Sequence, residues 1–378
     1  MSAPAPAEDV RPMPTALRAA IVLALLYLFL AGISVLEGGI SSLGEGVQES
    51  LFSSVSNPIA GLCVGILATV LVQSSSVSTS TVVGLVSTGL LSVDDAVPIV
   101  MGANLGTTVT STLAALGHVR RPEEFRHAFA AATVHDFFNL LTVVVMLPIE
   151  LATGVLSKTA RWLTEALVGQ DGAEFDSPIK KIVERPSEAI IDGVGNLVSG
   201  TALGIVLIGL ALGMIFVALA FITKNMRVLV ATRIERSVGE LLERGGGTAA
   251  IALGMVITIA VQSSSITTSV MVPLAAAGIV TTRNVYPMAI GANIGTTATA
   301  LLAAMAASRP EAITIALVHT LFNVSGTLLY YPVPAMRALP VRLADGLAEM
   351  AMRRRSAVLA YVVVTFLVVP AFGVLLLR

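Results

Sequence analysis

The sequence predicts an all-α integral membrane protein built from two inverted-topology repeats. The prediction depends on composition, on an internal duplication, and on an unequal placement of basic residues. The 378 residues are 55% hydrophobic and only 12% charged, which is too little charge to cover the surface of a soluble domain of this length. Apolar blocks such as 204–222 and 358–377 match the thickness of a bilayer core. A net charge of −1 indicates no nucleic-acid partner.

The duplication is visible in two motifs that keep one spacing. The pentapeptide Val-Gln-Ser-Ser-Ser at 72–76 recurs at 261–265, and Gly-Ala-Asn-x-Gly-Thr-Thr at 102–108 recurs at 291–297, both 189 positions later. Two motifs in one register are not expected by chance. The two halves of the chain therefore share one structural unit.

The distribution of basic residues predicts how these halves lie in the membrane. Residues 37–58, before the first Gln-Ser-Ser-Ser block, contain no Lys or Arg, whereas the equivalent residues 224–247 contain five. The positive-inside rule places the first segment outside the cell and the second in the cytoplasm. Equivalent segments on opposite sides mean inverted repeats, a plan of secondary transporters whose substrate site lies at the repeat interface.

Each repeat is predicted to contain a re-entrant helical hairpin with a Gln-Ser-Ser-Ser tip, and broken helices. The arm 59–72 would be about 21 Å long as a helix, too short for a core of about 30 Å. We expect a bacterial inner-membrane protein with its N-terminus in the cytoplasm and its C-terminus outside. The expected parts are a disordered cytoplasmic N-terminus (1–15), repeat 1 (16–150), an extracellular or periplasmic linker (151–199), repeat 2 (200–334), a cytoplasmic segment (335–356) and a final transmembrane helix (357–378).

The serine-rich tips carry the first chemical hypothesis. Unsatisfied polar groups in hydrocarbon cost several kcal/mol each, so runs such as 73–76 and 262–265 cannot face lipid. Serine hydroxyls and the free N–H groups at a helix start can donate to an anion such as phosphate. The alternative is a helix contact in which the hydroxyls bond to their own backbone.

The glycine-flanked asparagine motifs carry the second hypothesis. Glycines at 102, 106, 291 and 295 permit unwound backbone, whose carbonyls, together with Asn and Thr oxygens, would suit sodium. The alternative is glycine-rich helix packing, which would not require the asparagine.

Asp136 lies ten residues inside a predicted span, where an ionisable residue is functional by default. We interpret it as a cation ligand, with a buried acid bonded to His135 or Asn139 as the alternative. Both His135 and its repeat equivalent His319 could be sensitive to protons or could only pack between helices. The apolar segments contain no strong basic cluster, so sodium ions bound beside an anion would offset its charge.

Three motifs together resemble the type II sodium–phosphate cotransporter family. They are the paired Gln-Ser-Ser-Ser blocks, the Gly-Ala-Asn-x-Gly-Thr-Thr blocks followed by Thr110 or Thr299, and Val-His-Asp-x-x-Asn at 134–139. The similarity extends from Leu17 to Pro332 and suggests a short bacterial member. The resemblance implies sodium-driven symport of inorganic phosphate, with arsenate as an analogue. Asp136 stands where electroneutral relatives carry Gly, which implies electrogenic transport.

The motifs and the resemblance together give two sets of expected ligands, with sodium as the coupling ion and no cofactor. Ala292 replaces a serine of some relatives, so one hydroxyl ligand is missing. The expected phosphate ligands are Ser74, Ser75, Ser76, Ser263, Ser264, Ser265, Asn104 and Asn293. The expected sodium ligands are Gln73, Thr112, Asp136, Asn139, Gln262, Thr296, Thr299 and Asn323.

Other functions fit parts of this pattern. Paired hairpins with Ser, Thr and Asn tips would also suit a sodium-coupled carrier of sulfate or dicarboxylate, or a phosphate sensor without flux. An intramembrane hydrolase using Ser75 and His135 would need a nucleophile–base pair and an oxyanion site, and no Gly-x-Ser-x-Gly block supports it. The sequence leaves open the number of sodium ions and the oligomeric state, a homodimer included.

Overall fold

The computed structural model describes residues 13–43, 57–168, 178–244, 246–354 and 356–377, whose regular structure is entirely helical. Within these ranges six helices are long and apolar enough to cross a membrane, which confirms the predicted all-α membrane class. Those six are Thr15–Ser41, Val93–His118, Pro122–Thr153, Thr201–Leu229, Thr282–Ala306 and Pro310–Tyr330. The inverted repeats and the re-entrant hairpins stay predictions. Residues 1–12 of the N-terminus expected to be disordered, and 44–56 of the first loop, lie outside the described residues.

The described residues of the first half form six α-helices, two of which cover the residues of the predicted hairpin. A short 3₁₀ turn, Leu116–His118, follows the fifth of them. The helices are α1 (Thr15–Ser41), α2 (Pro58–Val72), α3 (Ser75–Ser87), α4 (Val93–Gly106), α5 (Val109–Ala115) and α6 (Pro122–Thr153).

Two of the described helices lie in the expected linker, and the second half follows. The linker helices are α7 (Val155–Val168) and α8 (Pro178–Gly195). The second half has α9 (Thr201–Arg244), α10 (Gly247–Val261), α11 (Ser264–Ala276), α12 (Thr282–Ala306) and α13 (Pro310–Tyr330). The expected cytoplasmic segment is mostly α14 (Pro334–Arg353), and the last apolar stretch is α15 (Ser356–Val363), a π-helical turn (Val364–Val368) and α16 (Val369–Leu376).

The first helices of the two halves, α1 and α9, pack along each other in opposite directions. Gly39 lies against Leu207 and Ile208, whereas Gly32, two turns earlier, lies against Met214 and Ile215. Later residues of α1 therefore contact earlier residues of α9, so the two helices run antiparallel. Inverted repeats require this antiparallel arrangement, although the side of the membrane on which each end lies stays a prediction.

Each hairpin consists of two short helices that contact each other, α2 with α3 and α10 with α11. The arms have 15 and 13 residues in both copies. At 1.5 Å per residue neither arm reaches the roughly 30 Å of a hydrocarbon core. The arm lengths are those that a re-entrant hairpin needs.

Glycines bring the first arm of each hairpin against the backbone of the next helix. A Cβ atom on Gly65 of α2 would collide with the carbonyl oxygen of Ile99 in α4. In the second half, 189 positions later, a Cβ on Gly254 of α10 would collide with the carbonyl oxygen of Met288 in α12. Small residues permit this close packing where lipid supplies no hydrophobic drive between helices.

The expectation of unwound backbone at the asparagine motifs is wrong. In the first copy the helix is interrupted only at Thr107 and Thr108, which keep right-handed helical dihedrals. In the second copy α12 runs without a break from Thr282 to Ala306. The motif glycines serve close packing instead, because a Cβ on Gly102 or Gly291 would collide with a carbonyl oxygen of the hairpin arm. The glycine-packing alternative therefore describes them correctly.

Replacement of Gly65 by Ala should destabilise the protein, because its Cβ has no room beside Ile99. Overpacking of this kind costs about 1–3 kcal/mol. Thermal unfolding in detergent, followed by circular dichroism, measures the loss. Gly209→Ala in α9 is the matched control, since nothing lies within 4 Å of its Cβ position. Equal melting temperatures for the two variants would contradict the packing role.

Candidate functional site

Both hairpin tips turn at a glutamine in the left-handed backbone conformation. Gln73 has φ 57° and Gln262 has φ 56°, and among the described residues no other non-glycine side chain has positive φ. This conformation costs an L-residue roughly 1–2 kcal/mol. At each tip the backbone N–H caps the first arm, donating to the Thr69 or Thr258 carbonyl at 2.7 Å. Strain that both copies retain is typical of a functional turn.

The glutamine side chains are held by the neighbouring helix. The Gln73 Oε1 accepts a hydrogen bond from Thr110 Oγ1 at 3.1 Å, and the Gln262 Oε1 accepts one from Thr299 Oγ1 at 2.9 Å. The structure thus brings together Gln262 and Thr299, two expected sodium ligands, whereas Thr296 donates to the Ala292 carbonyl of its own helix. Thr110, which belongs to the family motif, was missing from the expected ligands.

The serines that follow each glutamine begin the second arm of its hairpin. Ser74 and Ser263 are the N-cap residues of α3 and α11, and their hydroxyl oxygens accept from the Val77 and Ile266 N–H groups at 3.3 and 3.4 Å. The next two serines of each tip make no side-chain hydrogen bond to another described residue. They are Ser75, Ser76, Ser264 and Ser265. Each tip therefore offers hydroxyl donors and first-turn N–H groups at the positive end of a helix.

Deeper in the second arms several hydroxyls bond to their own backbone, although the buried Ser80 hydroxyl has no partner among the described residues. Thr79 donates to the Ser75 carbonyl at 2.8 Å, and Thr268 donates to the Ser264 carbonyl at 3.0 Å. The polar run thus has two parts. Several of the deeper hydroxyls donate to backbone carbonyls of their own helix, as the helix-contact alternative proposed, whereas the donors at the tip are free to bind a ligand.

Helix α5 connects the two tips. Thr110 holds Gln73 of the first tip, and the next residue, Ser111, makes a 2.7 Å hydrogen bond with Thr268 in α11. Thr268 in turn contacts the Ser264 carbonyl of the second tip. The two tips therefore lie on either side of the start of α5.

Four buried asparagines join the halves in two equivalent pairs. Asn104 Nδ2 donates to Asn323 Oδ1 at 2.7 Å, and Asn293 Nδ2 donates to Asn139 Oδ1 at 2.5 Å. Asn104 and Asn293 are the same motif position, and so are Asn139 and Asn323, so one pair repeats the other with the halves exchanged. All four side chains are at most 2% exposed. The structure thus pairs expected phosphate ligands with expected sodium ligands.

The histidines beside this cluster differ between the halves. His135 Nε2 lies 2.5 Å from Asn293 Oδ1, whereas both ring nitrogens of His319 are buried with no hydrogen-bond partner among the described residues. Within the same residues Ser75 and His135 form no hydrogen bond, and the His135 Nε2 instead lies within hydrogen-bond distance of Asn293 Oδ1 and Asn139 Nδ2. The nucleophile–base pair of a serine hydrolase is not formed.

Asp136 has one occupied and one free carboxylate oxygen. Its Oδ2 accepts hydrogen bonds from Tyr361 OH at 2.9 Å and Thr112 Oγ1 at 3.3 Å, while its Oδ1 is buried with no partner among the described residues. Thr112 thus contacts Asp136 as expected, whereas Asn139, expected at the same ion, bonds to Asn104 and Asn293. The alternative in which His135 or Asn139 bonds to the acid is not what the structure has. A buried carboxylate oxygen without a protein donor is a position where a cation would be stabilised.

Tyr361 is the contact that sequence reasoning missed. It lies on α15, after the second repeat, and no equivalent residue in the duplicated halves draws attention to it. The sequence of an apolar helix does not indicate which residue a tyrosine hydroxyl in it will contact. Only the packing of the last helix against α6 places its hydroxyl at Asp136.

Comparisons with known proteins support the motifs. The sequence profile of the family described as Na+/Pi-cotransporter matches residues 28–169 and 214–333. Sodium-dependent phosphate transport protein 2A of Ovis aries is 34% identical over 94% of this chain and 67% of its own length. Sodium-dependent phosphate transport protein 2B of Homo sapiens is 32% identical over 93% of this chain and 64% of its own length. No solved structure matches the chain.

The asparagine pair that joins the halves should show energetic coupling. In Asn104→Ala the Oδ1 of Asn323 loses its donor, and an unsatisfied buried polar group costs about 1–3 kcal/mol. The double variant with Asn323→Ala should then be destabilised by about 1 kcal/mol less than the sum of the single variants. Unfolding free energies in detergent measure this cycle. Additive effects would show that the pair does not hold the halves together.

Proposed function

This chain belongs to the Na+/Pi-cotransporter family, and we propose that it is a symporter that carries inorganic phosphate into the cell together with sodium. The family is one of transporters rather than enzymes. The 2A and 2B relatives are named for sodium-dependent phosphate transport. The observation that carries the proposal is that both hairpins contact α5, through Gln73 and Thr268, and that both tips present serine hydroxyls without a partner among the described residues.

Phosphate would bind between the two tips. Ser75 and Ser264 are buried residues in the first turns of α3 and α11, and their hydroxyls make no bond to another described residue. A tetrahedral oxyanion has oxygens enough to accept from both tips and from the first-turn N–H groups. Arsenate has the same shape and charge, so it would be carried as an analogue.

Sodium would neutralise the charge of the anion. The Gln73 and Gln262 side-chain oxygens, each beside a threonine hydroxyl, are hard ligands next to the tips. A separate ion would bind at the free Oδ1 of Asp136, near Thr112. Because Asp136 adds a negative charge that phosphate does not bring, its own cation makes the cycle electrogenic.

The membrane arrangement follows the same plan. We propose inverted repeats with re-entrant hairpins in a bacterial inner membrane, the N-terminus in the cytoplasm and the C-terminus outside. The antiparallel contact of α1 with α9 and the short hairpin arms support this. The positive-inside pattern sets the direction.

Replacement of Ser75 and Ser264 by Ala should weaken phosphate uptake. The loss of two hydrogen bonds worth about 1 kcal/mol each lowers apparent phosphate affinity about thirtyfold. Sodium-driven uptake of labelled phosphate into proteoliposomes measures it. The matched control is Ser80→Ala with Ser269→Ala, the equivalent pair deeper in the same two helices. If the tip variant took up phosphate as wild type does, the hairpin tips would not form the phosphate site.

Replacement of Asp136 by Gly should leave phosphate uptake but abolish the accompanying current, because the acid and its sodium ion are lost together. Current and tracer flux recorded on the same membranes give the charge moved per phosphate. Thr142→Val, one to two turns away on α6, is a control that keeps the acid. An unchanged charge per phosphate would reject the assignment of Asp136.

The choice of anion can be tested by competition. Excess sulfate and succinate should leave sodium-driven uptake of labelled phosphate unchanged, whereas arsenate should inhibit it. Strong inhibition by sulfate or succinate would favour the carrier of another small anion. Sodium-dependent binding without any uptake would favour the sensor.

A further inference from the structure

A cavity separate from the hairpin tips lies among the first turns of three helices. It has a volume of about 500 Å³ and lies where α10, α12 and α14 begin. None of the tip serines, tip glutamines or paired asparagines lines it. By the positive-inside pattern it opens on the cytoplasmic side.

The helix starts around this cavity are suited to an anion. Gly246 and Gly247 are the N-cap and first residue of α10, Asn284 lies in the first turn of α12, and Pro334 begins α14. No side chain among the described residues caps the start of α10 or α14. Their first N–H groups therefore need an acceptor from outside their own helix.

The charged side chains of the lining are mostly basic. The lining contains one carboxylate, Asp345, which accepts a hydrogen bond from Thr282 at 3.2 Å. It also contains three arginines, Arg283, Arg337 and Arg342. In the part of the chain that is described, none of the three arginines forms an ion pair. Three positive charges against one negative leave the cavity with an excess of two.

Two tyrosines prepare the cavity for a ligand. The guanidinium of Arg337 lies over the Tyr331 ring at 5.2 Å, which orients its donors. Tyr286 also lines the cavity and is 1% exposed, and its buried hydroxyl has no hydrogen-bond partner among the described residues. A buried hydroxyl without an acceptor is costly, and a phosphate oxygen would supply one.

The remaining wall favours an amphiphile over a free ion. Met271, Val280, Met288 and Val341 give the cavity an apolar side that inorganic phosphate would not use. We propose that the cavity binds the phosphate group of an anionic membrane lipid, with the adjoining glycerol and acyl carbons against this apolar wall. Basic pockets between membrane helices on the cytoplasmic side are known to take anionic headgroups.

Native mass spectrometry of the purified full chain in detergent tests the proposal, with phosphatidylglycerol and phosphatidylcholine as probes. Wild type should retain phosphatidylglycerol at least tenfold more tightly than phosphatidylcholine. Arg337→Gln with Arg342→Gln should remove most of that preference. Arg353→Gln, on the same helix but outside the cavity, should retain it. Equal binding of the two lipids by wild type, or an unchanged preference in the double variant, would overturn the proposal.

Two further measurements keep the test decisive. Tyr286→Phe changes no charge and should weaken phosphatidylglycerol binding severalfold, so it replaces the arginine variant if that variant fails to fold. If Tyr286→Phe bound phosphatidylglycerol as wild type does, the tyrosine hydroxyl would not contact the lipid phosphate. Millimolar inorganic phosphate should not displace the lipid. Displacement by phosphate, lost in the arginine variant, would reassign the cavity to the free ion.

Discussion

A polar group within hydrocarbon must find its partner inside the protein, and this constraint organises the chain. The buried amides of Asn104 and Asn139 satisfy it by bonding to Asn323 and Asn293 of the opposite half. Since each half supplies what the other lacks, the halves cannot separate without leaving amides unpaired. The glycine contacts at Gly65 and Gly254 bring the hairpins against this paired centre. The tip serines are among the donors left without a partner in the described residues, and a polar substrate can bind there.

The sequence predicted part of the site through the family resemblance that its motifs carry. Gln262 and Thr299, which the resemblance implied as sodium ligands, contact each other, and so do Thr112 and Asp136. The all-α membrane class followed from composition and the family from three motifs. The pairing of Asn104 with Asn323 could not be deduced, since it depends on how two distant helices cross.

The role of the motif glycines and the contact of Tyr361 with Asp136 could not be deduced from the sequence motifs. A glycine beside an asparagine can unwind a helix or let another backbone approach, and the sequence does not distinguish these. The structure uses Gly102 and Gly291 for approach. Tyr361 lies outside the duplication, so nothing in the repeat pointed to its bond with Asp136. Likewise the sequence gives no sign that Arg337 and Arg342 line one cavity with Arg283, because that depends on where three helix starts meet.

The central claim is that both tips form one phosphate site rather than two. Equilibrium binding of labelled phosphate to the purified chain in saturating sodium tests it most directly. A shared site predicts one phosphate per chain, with Ser75→Ala or Ser264→Ala alone lowering the affinity for that single phosphate. Two phosphates per chain, with each substitution removing one of them, would contradict the account.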